Sequence, residues 1–176
     1  MGCVDAGVKV INMSLSGKGY SQDEIYTLKA AMDADVVVVR TAGNNGINVA
    51  DRGNCMSVLP DLFVVGAYDI DHKAADFSNY GDIVDICAPG VSIFSFKHDE
   101  KGKVISFNGT SMAAPHITAL AALVRLMNPD MPALEVQELI QTYSRTFRNP
   151  DMYASGMYGA GAPDATKFIE KNPDIN

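Results

Sequence analysis

The sequence predicts an α/β fold with a mostly parallel central sheet. Short apolar runs such as Val36–Val39 and Leu62–Ala67 are rich in β-branched residues, as is typical of strands buried on both faces of a parallel sheet. Segments with helical spacing of apolar residues lie between these runs, and alternation of strand and helix is the pattern of α/β proteins. The 176 residues, which show no repeat and no low-complexity linker, suit one domain.

The first elements follow this alternation. Val8–Ser14 is apolar and β-branched and is predicted to be a buried strand. A helix then begins after Ser21, because Ser21 is a candidate N-cap and Glu24 stands three residues later, as in a capping box. The strand Val36–Val39 runs into a turn-rich loop, and Leu62–Ala67 forms a third strand.

The second half adds a strand, a hairpin and helices. Ile83–Ala88 is a fourth strand, and the runs Val91–Phe96 and Val104–Phe107 flank a polar stretch, which indicates a hairpin. A helix over Thr110–Met127 is apolar on nearly every side, so we expect it to be buried inside the fold. Two further helices are predicted, an amphipathic one over Leu134–Phe147 and a short one near Pro163–Lys171.

The start of the chain predicts truncation. Gly7 precedes a strand and is suited to the position that ends a helix. Only about six residues precede it, too few for a stable helix alone. We therefore expect the chain to begin inside an element whose first turns are missing.

Composition excludes several classes of partner. The chain is 47% hydrophobic and 20% charged, with a formal net charge of −7, which offers no electrostatic surface for nucleic acid or an anionic membrane. The sequence has no apolar run of 18 residues that could span a bilayer and no secretory signal peptide. The compartment stays open. Cys3, Cys55 and Cys87 have no metal-like spacing, and we expect buried or reduced thiols, with one disulfide as the alternative.

The segment with the clearest chemistry is Gly109–His116, with the sequence GTSMAAPH. Ser111 stands between a glycine turn and the first turn of an apolar helix, where the helix dipole favours developing negative charge. Taken alone, a Gly-Thr-Ser sequence before a helix is more often a simple N-cap.

The segment Gly109–His116 resembles the nucleophile motif of the subtilisin family, and further blocks agree in order and spacing. Val36–Val39 with Ala42–Gly46 resembles the strand and loop that present an oxyanion-hole asparagine, and Val10–Leu15 resembles the strand that lines the substrate cleft. Phe77–Gly81 and Ala88–Gly90 also match the family pattern. The resemblance implies a subtilisin-like three-layer fold in which residues 1–176 form one partial domain, the C-terminal portion of a serine endopeptidase whose N-terminal part is missing.

The resemblance also implies roles for individual residues. Ser111 would be the nucleophile, and the Asn44 amide with the Ser111 backbone N–H would form the oxyanion hole. One wall of the substrate cleft would consist of Ser14, Leu15 and Ser16, and the other of Thr41, Ala42 and Gly43. Ser16 departs from the family pattern, which has glycine there, and its side chain could narrow the cleft.

The catalytic Asp and His of the family have no counterpart here. Asp5 lacks the apolar strand that precedes the family's Asp and is interpreted as a helix-end residue. His72 and His98 fall in polar turns, and His116 is interpreted as a core histidine rather than a base. We therefore expect the chain alone to be inactive, because a serine hydroxyl needs a base and an orienting carboxylate. The missing part of the domain would supply both.

Four alternatives complete the predictions. Structural calcium is implied only by the resemblance, since the spacing of Asp69, Asp71 and Asp76 does not match an EF-hand and suits a solvated turn. An α/β-hydrolase is excluded because Ser111 lacks the G-x-S-x-G pattern.

The absent Asp and His leave open a pseudoprotease or assembly module. An unpaired edge at Val8–Ser14 would favour self-association.

Overall fold

The computed structural model of the chain describes residues 2–17, 19–49, 55–145 and 156–171. Its centre is a four-stranded sheet of order β1-β2-β3-β4, and every neighbouring pair is parallel. The strands are β1 (Val10–Met13), β2 (Val37–Thr41), β3 (Phe63–Tyr68) and β4 (Ile86–Pro89). The predicted α/β class with a parallel sheet is confirmed.

Helices cover both faces of this sheet, in three layers. Helices α4 (Thr110–Met127) and α5 (Ala133–Thr142) pack on one face, where Val37 and Val39 point, whereas Val38 points to the opposite face. That opposite face is covered by two other helices, α2 (Gln22–Asp33) and α3 (Cys55–Val58). Every residue of β2 and β3 is buried, which explains why their sequences are apolar except at Arg40 and Thr41.

The remaining elements are short. Helix α1 (Gly2–Asp5) precedes β1, and Gly7 has the positive φ expected after a helix end. The predicted hairpin is present as β5 (Ile93–Phe96) paired antiparallel with β6 (Val104–Phe107). The last elements are β7 (Ser144–Arg145), β8 (Ala162–Pro163) and α6 (Ala165–Lys171). No helix among the described residues has the length and apolarity needed to cross a membrane.

Two predictions about helices need correction. Helix α5 ends at Thr142, because the chain then forms β7 and pairs with β8; the predicted end at Phe147 lies outside the described residues. Helix α4 has the predicted bounds, but it is not buried on all sides. Its outer face is exposed, up to 77% at Leu126, and consists of Pro115, His116, Ala119, Ala122 and Leu126.

One half of the predicted capping box forms at the start of α2. The Ser21 hydroxyl accepts a hydrogen bond from the Glu24 backbone N–H at 3.0 Å. The Glu24 carboxylate does not return to Ser21, because it pairs with the Arg40 guanidinium at 2.7 Å. The Glu24 side chain, which the local sequence predicted to cap α2, therefore binds Arg40 of the central sheet instead.

An ion pair connects the residue Asp35, just before β2, with helices α4 and α5. Arg125 of α4 donates to the Asp35 carboxylate at 2.7 Å and to the Asp35 carbonyl at 2.6 Å. The other carboxylate oxygen of Asp35 accepts from the Ala133 N–H, at the first residue of α5, at 2.7 Å. Burial acts to raise the pKa of Asp35, but the bonds from Arg125 and Ala133 outweigh it and hold that pKa below its usual value. This contribution to stability is present above the ordinary pKa and is lost as the pH falls through the lower folded-state value.

Replacing Asp35 by alanine should lower the free energy of unfolding by about 2–3 kcal/mol, because it leaves the Arg125 guanidinium buried without its carboxylate. Urea denaturation at pH 7 measures the loss. The control is Asp33→Ala, which removes an exposed pair with Lys29 and should cost less than about 0.5 kcal/mol. Equal losses in the two variants would contradict the role assigned to Asp35.

Candidate active site

Ser111 lies in the first turn of α4, beside the carboxyl end of β1. Its hydroxyl donates to the Ser14 carbonyl at 3.3 Å, and the Ser14 hydroxyl donates to the Ser111 carbonyl at 2.9 Å. Gly109, two residues before Ser111, has a φ of 154°, a conformation that favours glycine. The structure therefore brings the predicted nucleophile against the predicted cleft strand, with its side chain partly exposed.

The side chain of Asn44 is held in one orientation by Thr110. Its Oδ1 accepts from the Thr110 backbone N–H at 2.8 Å and from the Thr110 hydroxyl at 2.9 Å. A backbone N–H can only donate, so the oxygen of the amide must face Thr110 and Nδ2 is left as the outward donor. Nδ2 lies 3.3 Å from the point where a Cβ on Gly109 would stand. The amide donor of Asn44 is thus placed beside the turn that carries Ser111.

The loop that carries Asn44 is anchored by a buried residue that sequence reasoning did not single out. The Asn79 side chain donates to the Ala42 carbonyl at 2.8 Å and accepts from the backbone N–H groups of Asn45 and Ile47 at 2.9 and 3.2 Å. A Cβ on Gly43, whose φ is 101°, would stand 2.5 Å from the Asn79 Nδ2. Glycine at position 43 therefore allows Asn79 to reach the loop.

Replacing Asn79 by alanine should lower the free energy of unfolding by about 2–3 kcal/mol, since two N–H groups and one carbonyl lose their partner. Urea denaturation measures this loss. The matched variant Asn79→Asp keeps both acceptor bonds and loses only the donor to Ala42, so it should retain more stability than Asn79→Ala. A loss below about 0.5 kcal/mol in Asn79→Ala would show that the loop does not depend on this anchor.

The two predicted cleft walls lie next to each other. The Thr41 hydroxyl donates to the Leu15 carbonyl at 3.0 Å, and the Ser16 Cβ lies 3.5 Å from the point where a Cβ on Gly43 would stand. Leu15 and Ser16 are exposed, whereas Thr41, Ala42 and Gly43 are buried. The contact of these residues with substrate stays a prediction.

All three histidines are among the described residues, and none of them is hydrogen-bonded to the Ser111 hydroxyl, which donates to the Ser14 carbonyl. The His72 ring stacks on Tyr68 with the ring centroids 5.3 Å apart, and His98 has a nearly fully exposed side chain in the hairpin turn. His116 was expected in the core, but it is exposed on α4, and its Nδ1 lies 2.9 Å from the Met112 carbonyl. Asp5 is the last residue of α1, as interpreted from the sequence.

The acidic turn and the cysteines show no sign of a metal site. The Asp69 carboxylate accepts from the backbone N–H groups of Asp71 and Lys73 at 3.0 and 2.9 Å, which closes the turn. Within residues 2–17, 19–49, 55–145 and 156–171, no group of three acidic, cysteine or histidine side chains could hold a metal ion. All three cysteines are free; Cys55 and Cys87 are buried and Cys3 is exposed. Burial raises the pKa of the Cys87 thiol.

The subtilase family matches residues 2–161 of this chain. The chain belongs to that family. Curated relatives include alkaline elastase YaB from Bacillus sp. (strain YaB), which is 33% identical over 156 residues, 89% of this chain and 40% of the relative. Subtilisin BL from Lederbergia lenta is 32% identical over 89% of this chain and 56% of its own length. The chain thus spans about half the length of the curated relatives it matches.

Solved structures agree on the fold. The chain is similar to a protease from Pseudoalteromonas arctica PAMC 21717, with a TM-score of 0.75 and 30% identity over 93% of this chain and 51% of the other. It is also similar to a cold-adapted subtilisin-like serine proteinase, with a TM-score of 0.72 and 28% identity over 88% of this chain and 52% of the other. The subtilisin-like fold and the serine protease resemblance predicted from the sequence are therefore confirmed.

Proposed function

We propose that this subtilase chain carries the nucleophile and oxyanion hole of a serine endopeptidase. The observation that supports the proposal most is the fixed Asn44 amide, since Thr110 occupies its oxygen and leaves its N–H donors beside Ser111. An asparagine held in this way at a serine in the first turn of a helix suits stabilisation of an oxyanion.

The chemistry follows from these positions. The Ser111 oxygen attacks the carbonyl carbon of the scissile peptide bond as a base removes the hydroxyl proton, and the carbonyl oxygen becomes an oxyanion. Asn44 Nδ2 and the Ser111 backbone N–H, which as a first-turn group has no intrahelical partner, would donate to that oxyanion. The base returns its proton to the leaving amine, and water then hydrolyses the acyl-enzyme on Ser111.

The base and its carboxylate would come from polypeptide other than these 176 residues. The three histidines of the chain make other contacts, and the Ser111 hydroxyl contacts a carbonyl, which can only accept. Among the described residues, β1 has no neighbour on its outer side. An unpaired strand edge beside the nucleophile is a surface on which a further strand can pair.

Exposed apolar surface supports the same arrangement. Phe94 and Phe96 of the β5–β6 hairpin are 73% and 76% exposed, and Leu126 on the outer face of α4 is 77% exposed. Phe94 and Phe96 lie two residues apart in β5 and therefore share one face of the hairpin, and a contiguous exposed apolar patch marks an interaction surface. A further part of the domain laid on β1, α4 and the hairpin would cover them and could bring a histidine to Ser111.

A burst experiment tests the proposal on the polypeptide that contains this chain together with the remaining part of the domain. With an activated ester substrate, we expect a rapid release of one equivalent of product and an acyl group on the peptide that contains Ser111, identified by mass spectrometry. Acylation of a different serine, or hydrolysis without a trapped acyl group, would contradict the role of Ser111. Absence of any hydrolysis would favour the pseudoprotease, for which the missing base is the supporting observation.

A further inference from the structure

A solvent-open pocket of about 540 Å³ lies beside the predicted cleft strand. One side is formed by Leu15–Gly17, directly after β1, and the other by Gly19–Ser21 and Glu24 at the start of α2. Arg40 of β2 also lines it. The oxyanion hole and the nucleophile do not use this pocket, so its polar lining needs a separate explanation.

The pocket begins one residue from the nucleophile's contact. Ser14 touches Ser111 through both its hydroxyl and its carbonyl, and Leu15 is the next residue in the chain. Consecutive Cα atoms are about 3.8 Å apart, so the mouth of the pocket is within reach of a substrate residue whose carbonyl lies at Ser111. The side chain on the acyl side of the scissile bond is the group nearest to it.

Arg40 is an unusual residue for its position in the sheet. It lies within β2, between Val39 and Thr41, and it is only 6% exposed. Its Nη1 pairs with the Glu24 carboxylate at 2.7 Å, but its buried Nε has no hydrogen-bond partner. A buried guanidinium with an unmet donor is costly and weak evidence for stability. Arg40 is the one charged residue of β2, and its place in the lining of a pocket points to a ligand.

The pair of opposite charges selects the chemistry of that ligand. Arg40 and Glu24 together carry no net charge, so the attraction of a charged side chain to one of them is offset by repulsion from the other, and the cost of removing its water is not repaid. An apolar side chain would cover the donors and acceptors of the pair without replacing their hydrogen bonds to water. A carboxamide has an oxygen that can accept from Arg40 and an NH₂ group that can donate to Glu24.

We propose that this pocket binds a glutamine side chain of the substrate, the residue on the acyl side of the scissile bond, and that Arg40 and Glu24 determine this specificity. The inference rests on the proposed function for its place in the reaction, but binding itself does not require the catalytic base. Glutamine is the longer of the two carboxamide side chains, and it suits a site in which Arg40 is only 6% exposed and a ligand must reach inward to it.

Binding of capped tetrapeptide amides to the chain as it stands tests the proposal. Acetyl-Ala-Ala-Ala-Gln-amide should shift the backbone NMR signals of residues 15–17, 19–21 and 24 and bind at least tenfold more tightly than the matched peptides ending in Glu, Leu or Lys. Equal affinity for the four peptides, or shifts confined to other parts of the chain, would overturn it. Hydrolysis need not occur, so failure of the proposed function would be seen separately, as glutamine binding without turnover in the polypeptide that carries the base.

Two substitutions test whether the Arg40–Glu24 pair determines the preference for glutamine. Arg40→Met keeps the apolar stem and removes the donors, and it should remove the glutamine preference. Glu24→Gln is the second variant, which tests the proposal should Arg40→Met fail to fold. It leaves a net positive pocket and should shift the preference from glutamine to glutamate by about tenfold. Lys29→Met, which removes an exposed cation from the same helix, should change neither. Retention of the glutamine preference in Glu24→Gln would contradict the role of the pair.

Discussion

Replacing Asn44 by alanine should lower kcat by about 10²–10³-fold in the polypeptide that combines this chain with its catalytic base, because one oxyanion donor is lost. The effect should fall on kcat and leave KM nearly unchanged, since the oxyanion exists only in the transition state and the intermediates near it. Steady-state kinetics with a peptide substrate separate the two constants. Asn45→Ala is the matched control, because the Asn45 contact to Asn79 uses its backbone N–H, and it should stay within about threefold of the parent.

A second substitution at position 44 separates catalysis from local structure. Asn44→Ala also removes the acceptor of the Thr110 N–H and hydroxyl. Asn44→Asp keeps that acceptor and loses only the NH₂ donor, while its charge opposes the oxyanion. We therefore expect Asn44→Asp to lose at least as much activity as Asn44→Ala with less loss of stability. A fall in kcat that follows stability across the two variants would show that Asn44 acts only as a structural residue.

Replacing Asp85 by asparagine should make the chain more stable at alkaline pH and leave its stability near pH 4 almost unchanged. Burial raises the pKa of Asp85 from 3.8 to about 7, against the opposing effect of the hydrogen bond that it accepts from the Val64 N–H at 2.6 Å. Residues 159 and 160 lie against the backbone of Asp85, whose carbonyl accepts from the Ala160 N–H at 2.8 Å.

The direction of this pH dependence follows from the protons bound by the folded and unfolded chain. Between pH 3.8 and about 7 the folded chain holds a proton on Asp85 that the unfolded chain has released, so stability falls as the pH rises through this interval. A pKa shift over this interval changes the free energy of unfolding by at most about 4 kcal/mol. At alkaline pH we expect Asp85→Asn to be more stable than the parent by about 2–4 kcal/mol. Asparagine is neutral at every pH and keeps an oxygen that can accept from Val64.

Urea denaturation at pH 4, 5.5, 7 and 8.5 measures the difference in stability between the parent and Asp85→Asn. That difference should grow in favour of asparagine up to about pH 7 and then stay constant. Asp82→Asn, at an exposed position three residues earlier, should show no such growth. A difference that is independent of pH, or that favours the parent at alkaline pH, would contradict the burial of an uncharged carboxyl at Asp85.

The sequence was sufficient for most elements because each depends on local signals. The bounds of α4 follow from the glycine turn at Gly109 and from the long apolar run after it, and the parallel strands follow from runs such as Val36–Val39. The C-terminal end of α5 could not be predicted in the same way. It is set by pairing of β7 with β8, and the residues of that pair are about 18 positions apart along the chain with no pattern that joins them.

The same difference between local signals and long-range contacts applies to the residues of the candidate site. Ser111 and Asn44 were singled out as candidates because the motifs around them are long, and the structure places them close together. Asn79 and Arg40 were not found, because their roles exist only through partners distant in sequence: the Asn79 contacts lie 32 to 37 residues away and the Arg40 pair spans 16. A single arginine in an apolar run was a visible departure from the strand pattern. It was the one local signal that could have directed attention to the pocket.

Covalent labelling of the 176-residue chain with a fluorophosphonate probe, beside Ser111→Ala and with intact mass as the readout, tests the central claim most directly. The claim is that Ser111 is a catalytic nucleophile whose base lies on other polypeptide. The predicted result is that the chain alone gives no adduct above the Ser111→Ala background, and that an adduct on Ser111 forms once the remaining part of the domain is present. A single adduct on the chain alone, lost in Ser111→Ala, would contradict the claim, because one of the residues described above would then be activating Ser111.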